Sequence, residues 1–351
     1  MKFIHIADMH FDMPFTFLSK NNLANYRRLE QRNIFRKMIN YILENNIEYL
    51  FIAGDLYENE YVKKSTIEFI NNEFKRIPNT KIFITPGNHD PYLTNSYYNT
   101  FKWNSNVYIF NNLNKVELND INIYGYGFTD FYSNRINIPN NLDLSKINIL
   151  VMHADLDASA QNYETYNPIT KSNLEGSDFN YVALGHIHKS NFDKNSKIIY
   201  PGSMIACGFD ELDKHGMIIG EINTDTKEIT LDLIDLDEMK FIENCIDITE
   251  INSQEEIIEK INLISIDKNK YYKIILRGHK KFEINTSEIL ACVDKQNILK
   301  IKDLSNYEYD LIKISKEQSL RGIFVRELLN IINDDNRNDI LESIYIGLEL
   351  M

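Results

Sequence analysis

Asp8 and His10 close the apolar run KFIHIAD as D-x-H, and Asp55 closes YLFIAGD. Asn88, His89 and Asp90 follow KIFIT as G-N-H-D, and His153 ends INILVMH. His186 and His188 follow YVALG as G-H-x-H. Five of the chain's eight histidines therefore stand where an apolar stretch stops. Taken singly, each is a polar strand end; an H-x-H after a strand also reads as a turn with two surface histidines. Taken together they combine carboxylates, imidazoles and a carboxamide, a donor mixture that suits manganese, iron or zinc better than calcium. Residues two apart in an extended segment point the same way, so His186 and His188 can face one point.

Five separate segments can meet at one place only if strands run in parallel and end at a common rim, where open α/β sheets gather their ligands. The first 90 residues have that pattern. KFIHIAD, YLFIAGD and KIFITPGNHD read as buried strands. Between them, residues 25 to 45 place Phe35, Met38, Ile39 and Ile42 at helical spacing, and residues 62 to 76 read as a second helix. Strand-like runs then dominate (INIYGYGF, INILVMHAD, NYVALGH, IIYPGSM, GMIIGEI, EITLDLIDL), which implies two stacked sheets flanked by helices. Near residue 240 a second β-α-β-α-β pattern begins. After residue 312, SLRGIFVRELLNII and DILESIYIGLEL read as two amphipathic helices joined by NDDNRN, too short to hold a core alone. The expected division is 1–240, 241–312 and 313–351.

Composition narrows the class. A length of 351 residues favours more than one domain. No apolar stretch reaches membrane-spanning length, and MKFIHIADMH lacks the apolar segment of a signal peptide. Cys207, Cys245 and Cys292 are scattered and fit a reducing compartment. A cytoplasmic protein with no membrane attachment is expected. The net charge of −13 argues against a simple nucleic-acid coat protein, but not against a nuclease whose metal ions meet the phosphate. Between Lys268 and Lys302, nine basic residues stand against Glu283, Glu288 and Asp294. That stretch is either a solvated face or a phosphate-contacting surface.

The ordered set D-x-H, G-D, G-N-H-D, H, G-H-x-H resembles the signature of the calcineurin-like metallophosphoesterases over residues 1 to about 240. FIHIADMHFDMPF, YNPITKSNLEGSDFNYVALGHIHKS, IIYPGSMIACGFDEL and SLRGIFVRELL are similar to SbcD-type nuclease subunits, in particular their YhaO-like DNA-repair exonuclease branch. The resemblance implies a four-layer α-β-β-α sandwich, a small α+β capping domain and a C-terminal helical segment. It implies two divalent ions, manganese first, with iron, zinc or magnesium as alternatives. Asp8, His10, Asp55 and His188 would hold the first ion; Asp55 would bridge to the second, with Asn88, His153 and His186. Two such ions can clamp a phosphodiester and bring a shared water toward neutral pKa. His89 would meet the substrate phosphate and help protonate the leaving oxygen, and Asp90 is a candidate to hold that histidine. Gly185 would leave room for the turn that aims His186 and His188.

The implied function is metal-dependent DNA exonuclease or endonuclease activity in repair, in complex with an SbcC-like coiled-coil ATPase that the C-terminal helices would dock on, and as a homodimer. Two other readings stay open: a phosphodiesterase or phosphatase acting on small nucleotides, and a DNA-end-binding subunit with secondary cleavage. The chain also departs from the pattern. Tyr57 and Glu58 stand where such nucleases often carry Phe and Asp, and the part after the capping domain is short.

Overall fold

The structure is a computed structural model that describes residues 1–18, 22–157, 165–334 and 336–351. Its described residues divide into two compact units, Met1–Phe241 and Ile242–Met351.

In the first unit, the strands are β1 Lys2–Ile6, β2 Tyr49–Ala53, β3 Lys81–Thr85, β4 Val107–Ile109, β5 Asn114–Glu117 and β6 Ile121–Tyr126. They continue with β7 Ile147–His153, β8 Tyr181–Gly185, β9 Ile198–Ile199, β10 Gly216–Ile222 and β11 Ile229–Asp235. The helices are α1 Leu23–Asn45, α2 Lys64–Lys75, α3 Tyr97–Thr100 and α4 Lys171–Glu175. One sheet runs β11-β10-β1-β2-β3-β4, the other β5-β6-β7-β8-β9. From β1 to β4 and from β6 to β9 neighbouring strands are parallel; β10, β11 and β5 are the antiparallel additions.

Period-two alternation sorts every central strand into two faces. Phe3, Phe51 and Phe83 meet Ile149, Val151, Tyr181 and Ala183 between the sheets. Ile4, Leu50, Ile52, Ile82 and Ile84 turn the other way, onto Phe35, Met38, Ile39 and Ile42 of α1 and Ile67 and Ile70 of α2. The outer face of the second sheet packs Leu150, Met152, Val182 and Leu184 on Leu174 of α4 and on Ile136, Ile138 and Leu142. The architecture is thus the α-β-β-α sandwich. Among the described residues its fourth layer is thin, one five-residue helix with irregular chain around it. His5 sits between the sheets; its Nε2–H donates to the Leu184 carbonyl (3.2 Å) and Nδ1 accepts from the Tyr181 hydroxyl (2.9 Å). Burial pushes His5 down to about 3, so it is a neutral core residue.

Gly185 ends β8 against the last residue of β2 and the residue that follows β1. A Cβ there would lie 1.7 Å from the Ala53 carbonyl oxygen and 2.9 Å from the Ala7 Cβ. The constraint is the neighbouring sheet's backbone and not, as the sequence suggested, crowding in the turn beyond it. No rotamer relieves a backbone clash, so Gly185→Ala is expected to cost roughly 3 kcal/mol or more. A thermal melt of the variant beside wild type checks this; an unchanged Tm would show that the sheets can part freely.

The second unit begins within β12 Lys240–Asp247 and continues α5 Gln254–Leu263, β13 Lys270–Arg277, β14 His279–Lys280, α6 Thr286–Cys292, β15 Ile298–Asp303 and β16 Asn306–Tyr307. β12-β13-β15 form a sheet whose core joins Ile274, Leu276 and Ile301 to Ile257, Ile261 and Ile289 of the two helices. Three helices follow, α7 Leu311–Ser315, α8 Leu320–Asn330 and α9 Arg337–Leu350, packed through Ile314, Val325, Ile344 and Leu348. Sequence reasoning anticipated two of the three; α7 is too short to show a period. Several of the basic residues from Lys268 to Lys302 are engaged inside the unit. Lys273 pairs with Glu243 (2.6 Å), Lys280 with Asp303 (2.9 Å) and Lys270 with Asp267 (3.5 Å), which lowers the charge available to a phosphate. Among the described residues, no helix is long and apolar enough to cross a membrane.

Candidate metal centre

The loops after β1 and β2 are zipped together: Asp8, His10 and Phe11 N–H groups donate to the carbonyls of Gly54, Asp55 and Leu56 (3.1, 2.9 and 3.0 Å). From α1, the Gln31 carboxamide holds the carbonyls of Met9 and His10 (2.9 and 3.0 Å). Asp8, His10, Asp55 and His186 all have positive φ (50°, 48°, 51° and 110°), strain that only a well-supported loop keeps. Asp90 does not touch the His89 ring. Its carboxylate accepts the N–H groups of Asp55 (3.1 Å), Leu56 (2.6 Å) and Gly87 (2.6 Å) and the Tyr98 hydroxyl (2.6 Å). It therefore fixes the two loops that carry Asp55 and Asn88, and the role expected of it toward His89 falls to Glu58.

Glu58 is the residue that sequence reasoning missed, visible only as a departure from a pattern. One oxygen accepts from His10 Nδ1 (2.7 Å) and the other from His89 Nδ1 (3.0 Å). Glu211 does the same for His188 Nδ1 (2.6 Å) and also takes the Ser203 hydroxyl (2.9 Å) and the Cys207 N–H (2.8 Å). The loop bearing Glu211 is tied down by buried Arg27, which donates to the Ala206 carbonyl (2.8 Å) and to both oxygens of Asp237 (2.9 and 2.6 Å). No local signal in FDELDKHG marks Glu211.

The structure gathers the expected donors into two adjoining groups. Asp8, His10 and His188 offer ligand atoms within 4.8 Å of one another, and so do Asp8, Asp55 and His153. Asn88 joins the second through Oδ1, 2.9 Å from His153 Nε2. The Asp55 Oδ2 atom lies 3.3 Å from His153 Nε2 and 3.8 Å from His10 Nε2, between the two groups. His186 stands a step further out. Its ring meets those of His153 (centroids 5.1 Å) and Tyr166 (4.9 Å), and its N–H donates to Asp8 (3.1 Å). His186 thus lies beside His153 while His188 lies with Asp8 and His10, a separation that does not come from strand alternation: β8 stops at Gly185 and the φ of 110° at His186 turns the chain.

The donors fit cations on their own chemistry. With Glu58 and Glu211 holding Nδ1–H of His10 and His188, both Nε2 lone pairs confront each other at 3.0 Å. His153 donates Nδ1–H to the Ala53 carbonyl (3.0 Å), so its Nε2 faces two oxygen acceptors, Asn88 Oδ1 and Asp55 Oδ2. Each arrangement needs a positive charge between the partners, a proton or a metal ion. Carboxylates and carbonyls that fix the far nitrogen of a metal-bound imidazole are the usual support of such sites.

The titration behaviour follows the same charges. Burial would lower His153, but ionised Asp55 and then Asp8 push it up to about 9. Burial would lower His188 as well; the Cys207 thiol and the Glu211 carboxylate outweigh it and push it up to about 12. Burial, reinforced by His153, takes His186 down to about 3. Asp55 is held well below the usual carboxylate range; its burial is outweighed by His153, His10 and His89. Burial raises Asp8. At pH 7.5, His153 and His188 therefore carry protons that a metal ion must displace. Metal loading is expected to release between roughly one and two protons per chain, and affinity to rise as pH climbs toward 9. Titration calorimetry in buffers of different ionisation enthalpy measures this; metal uptake without proton release would remove these imidazoles from the ligand set.

Residues 1–190, more than half of the chain, match the calcineurin-like phosphoesterase family. The chain belongs to that family. Its members bind two divalent metals, and membership implies a hydrolase acting on phosphoesters. The chain is 23% identical to an uncharacterized metallophosphoesterase, YhaO, of Bacillus subtilis (strain 168), over 74% of this chain and 66% of the relative. It is 26% identical to the D component of the SbcCD nuclease of Staphylococcus epidermidis, over 61% of this chain and 64% of the relative. It is also 26% identical to the corresponding SbcCD nuclease component of Staphylococcus saprophyticus, over 80% of this chain and 79% of the relative. The chain thus spans just under two thirds of the length of the first two relatives.

Proposed function

We propose that this protein hydrolyses DNA phosphodiesters as a metal-dependent exonuclease or endonuclease of repair, manganese being the first candidate ion. The observation that carries the reading is the donor ring at one rim of the sheets in a chain whose likeness to the D component of the SbcCD nuclease reaches 80% of its length. That share is more than the first unit alone contains. Asp8, His10, Asp55 and His188 would hold one cation, and Asp55, Asn88, His153 and His186 the other. Bound there, two divalent ions would supply Lewis acidity toward a phosphate and bring a water into ionisable range at neutral pH.

The chain's own residues do the rest. Asp55, with one oxygen toward both groups, sets their spacing. Asn88 contributes a neutral oxygen, which keeps the site cationic toward an anionic substrate. His89 is half exposed at the mouth of the site, and Glu58 keeps it charged, so it can bind a phosphate oxygen and give its proton to the leaving oxygen. The second unit would cap the DNA. Its last helices would dock on an SbcC-like ATPase, a role supported by exposed Leu320, Ile323, Ile346 and Leu350. Homodimer formation and a cytoplasmic setting belong to the same reading.

Labelled single- and double-stranded DNA and nucleotide monoesters, each incubated with manganese, magnesium or chelator, test the proposal. Digestion of DNA in manganese and none in chelator is expected. DNA left intact while small esters are hydrolysed would transfer the assignment to a small-nucleotide phosphoesterase.

A further inference from the structure

A cavity of about 400 Å³ opens beside His89. Glu58, Asn59, Glu60 and Asn88 form part of its wall with His89, and the rings of Tyr61, Phe131, Tyr132 and Tyr166 form the rest. Tyr61, Phe131 and Tyr132 in that wall are 51%, 40% and 49% exposed. Large rings left in water at the mouth of a catalytic site are a surface for something flat and apolar. The rings are also ordered in space. Tyr132 lies against Tyr166 with centroids 5.8 Å apart and planes 40° apart, and Tyr166 lies against His186 at 4.9 Å and 35°. A run of π faces thus leads from the metal centre into the cavity.

We propose that this cavity is the base subsite: it takes the unpaired nucleobase of the nucleotide whose phosphate lies at the metal centre. The inference rests on the nuclease reading and deepens it, because it names the substrate as a strand end with a splayed-out base. Three features select a base over a second phosphate or a base pair. Among the described residues the lining contains no Lys or Arg; the charge of its His89 is met by Glu58 (3.0 Å), and Glu60 adds a negative charge that repels a second phosphate. The volume is at the lower end of what small-molecule pockets have, enough for one nucleotide but not for stacked pairs. Asn88 and His89 belong to the same wall, so a base seated there is one sugar away from a phosphate at His89. Asn59 and Glu60 can hydrogen-bond a base edge, while stacking on the tyrosines accepts any base.

The test uses single-stranded oligonucleotides that differ only in the terminal nucleotide, ordinary or abasic, digested in manganese with the label at either end. The wild type is expected to cleave the base-bearing terminus about ten-fold faster than the abasic one, the size of one base–aromatic stack. In Tyr132→Ala and Tyr61→Ala that ratio falls toward one, while Tyr132→Phe, which keeps the ring, retains it. A terminal 2-aminopurine is quenched by the wild type and not by Tyr132→Ala. Equal cleavage of both termini by the wild type, or a ratio unmoved in both alanine variants, overturns the base subsite and leaves the nuclease reading standing. No cleavage of any DNA, with small esters hydrolysed, overturns the nuclease reading itself.

Discussion

Asp55→Asn is expected to reduce phosphodiester hydrolysis at least about a thousand-fold and to leave fewer than two metal ions per chain. Asp55 lies between the donor groups, its Oδ2 3.3 Å from His153 Nε2 and 3.8 Å from His10 Nε2. A carboxylate there brings a full negative charge and turns Oδ2 toward both groups, whereas a carboxamide whose oxygen keeps the Oδ1 place turns a neutral NH2 toward them. The substitution keeps shape, and its oxygen can still accept the His89 N–H that Asp55 Oδ1 takes at 2.8 Å. Loss of activity should therefore come without loss of fold. Elemental analysis of the purified variant, kinetics on a chromogenic phosphodiester and a thermal melt separate the two effects. A variant that retains two ions and a tenth of wild-type activity would show that another residue spans the groups; Asp8, within reach of both, is the first to test next.

Most of the donor set could be read from the sequence because each member sits at a strand end, and strand ends announce themselves by apolar alternation that stops at a polar residue. His153 continues the inward face of β7, after Ile149 and Val151, so its direction too was written in the alternation. The supports of these donors were not legible. Glu58 meets His10 across 48 positions and His89 across 31; Glu211 meets His188 across 23. Such contacts depend on how loops fold over a rim, and no period in the chain encodes that. Asp90 shows the opposite failure. Its proximity in sequence to His89 suggested a contact, yet the chain turns the carboxylate inward to collect four donors, which a buried charge needs more than one exposed imidazole does. Gly185 was noticed for the right place and the wrong reason, because only the second sheet's position shows what it must clear.

The pair formed by His89 and Glu58 carries the other large effect. His89→Ala is expected to lower kcat by about 10²- to 10⁴-fold, the usual contribution of a positioned acid, while metal content stays at the wild-type value. The hydrogen bond that His89 donates to Glu58, against an opposing effect of burial, pushes His89 up to about 9, so the ring is charged at neutral pH and loses its proton as pH rises. Bound cations would pull that value down in wild type and variant alike. The rate should therefore fall on an alkaline limb in both. Glu58→Gln keeps the shape but removes the charge that holds His89 protonated, so its alkaline limb must lie at lower pH than that of the wild type. Because Glu58 also fixes the His10 ring, the variant should lose about 10- to 100-fold in activity or metal affinity at its own optimum as well. A merely structural role for Glu58 would lower the whole pH profile without moving its limb. Profiles of kcat for wild type, Glu58→Gln and Glu58→Asp decide between these, since the shorter carboxylate keeps the charge and alters the reach. An unmoved limb in Glu58→Gln would detach His89 from proton transfer and leave it as a phosphate contact alone.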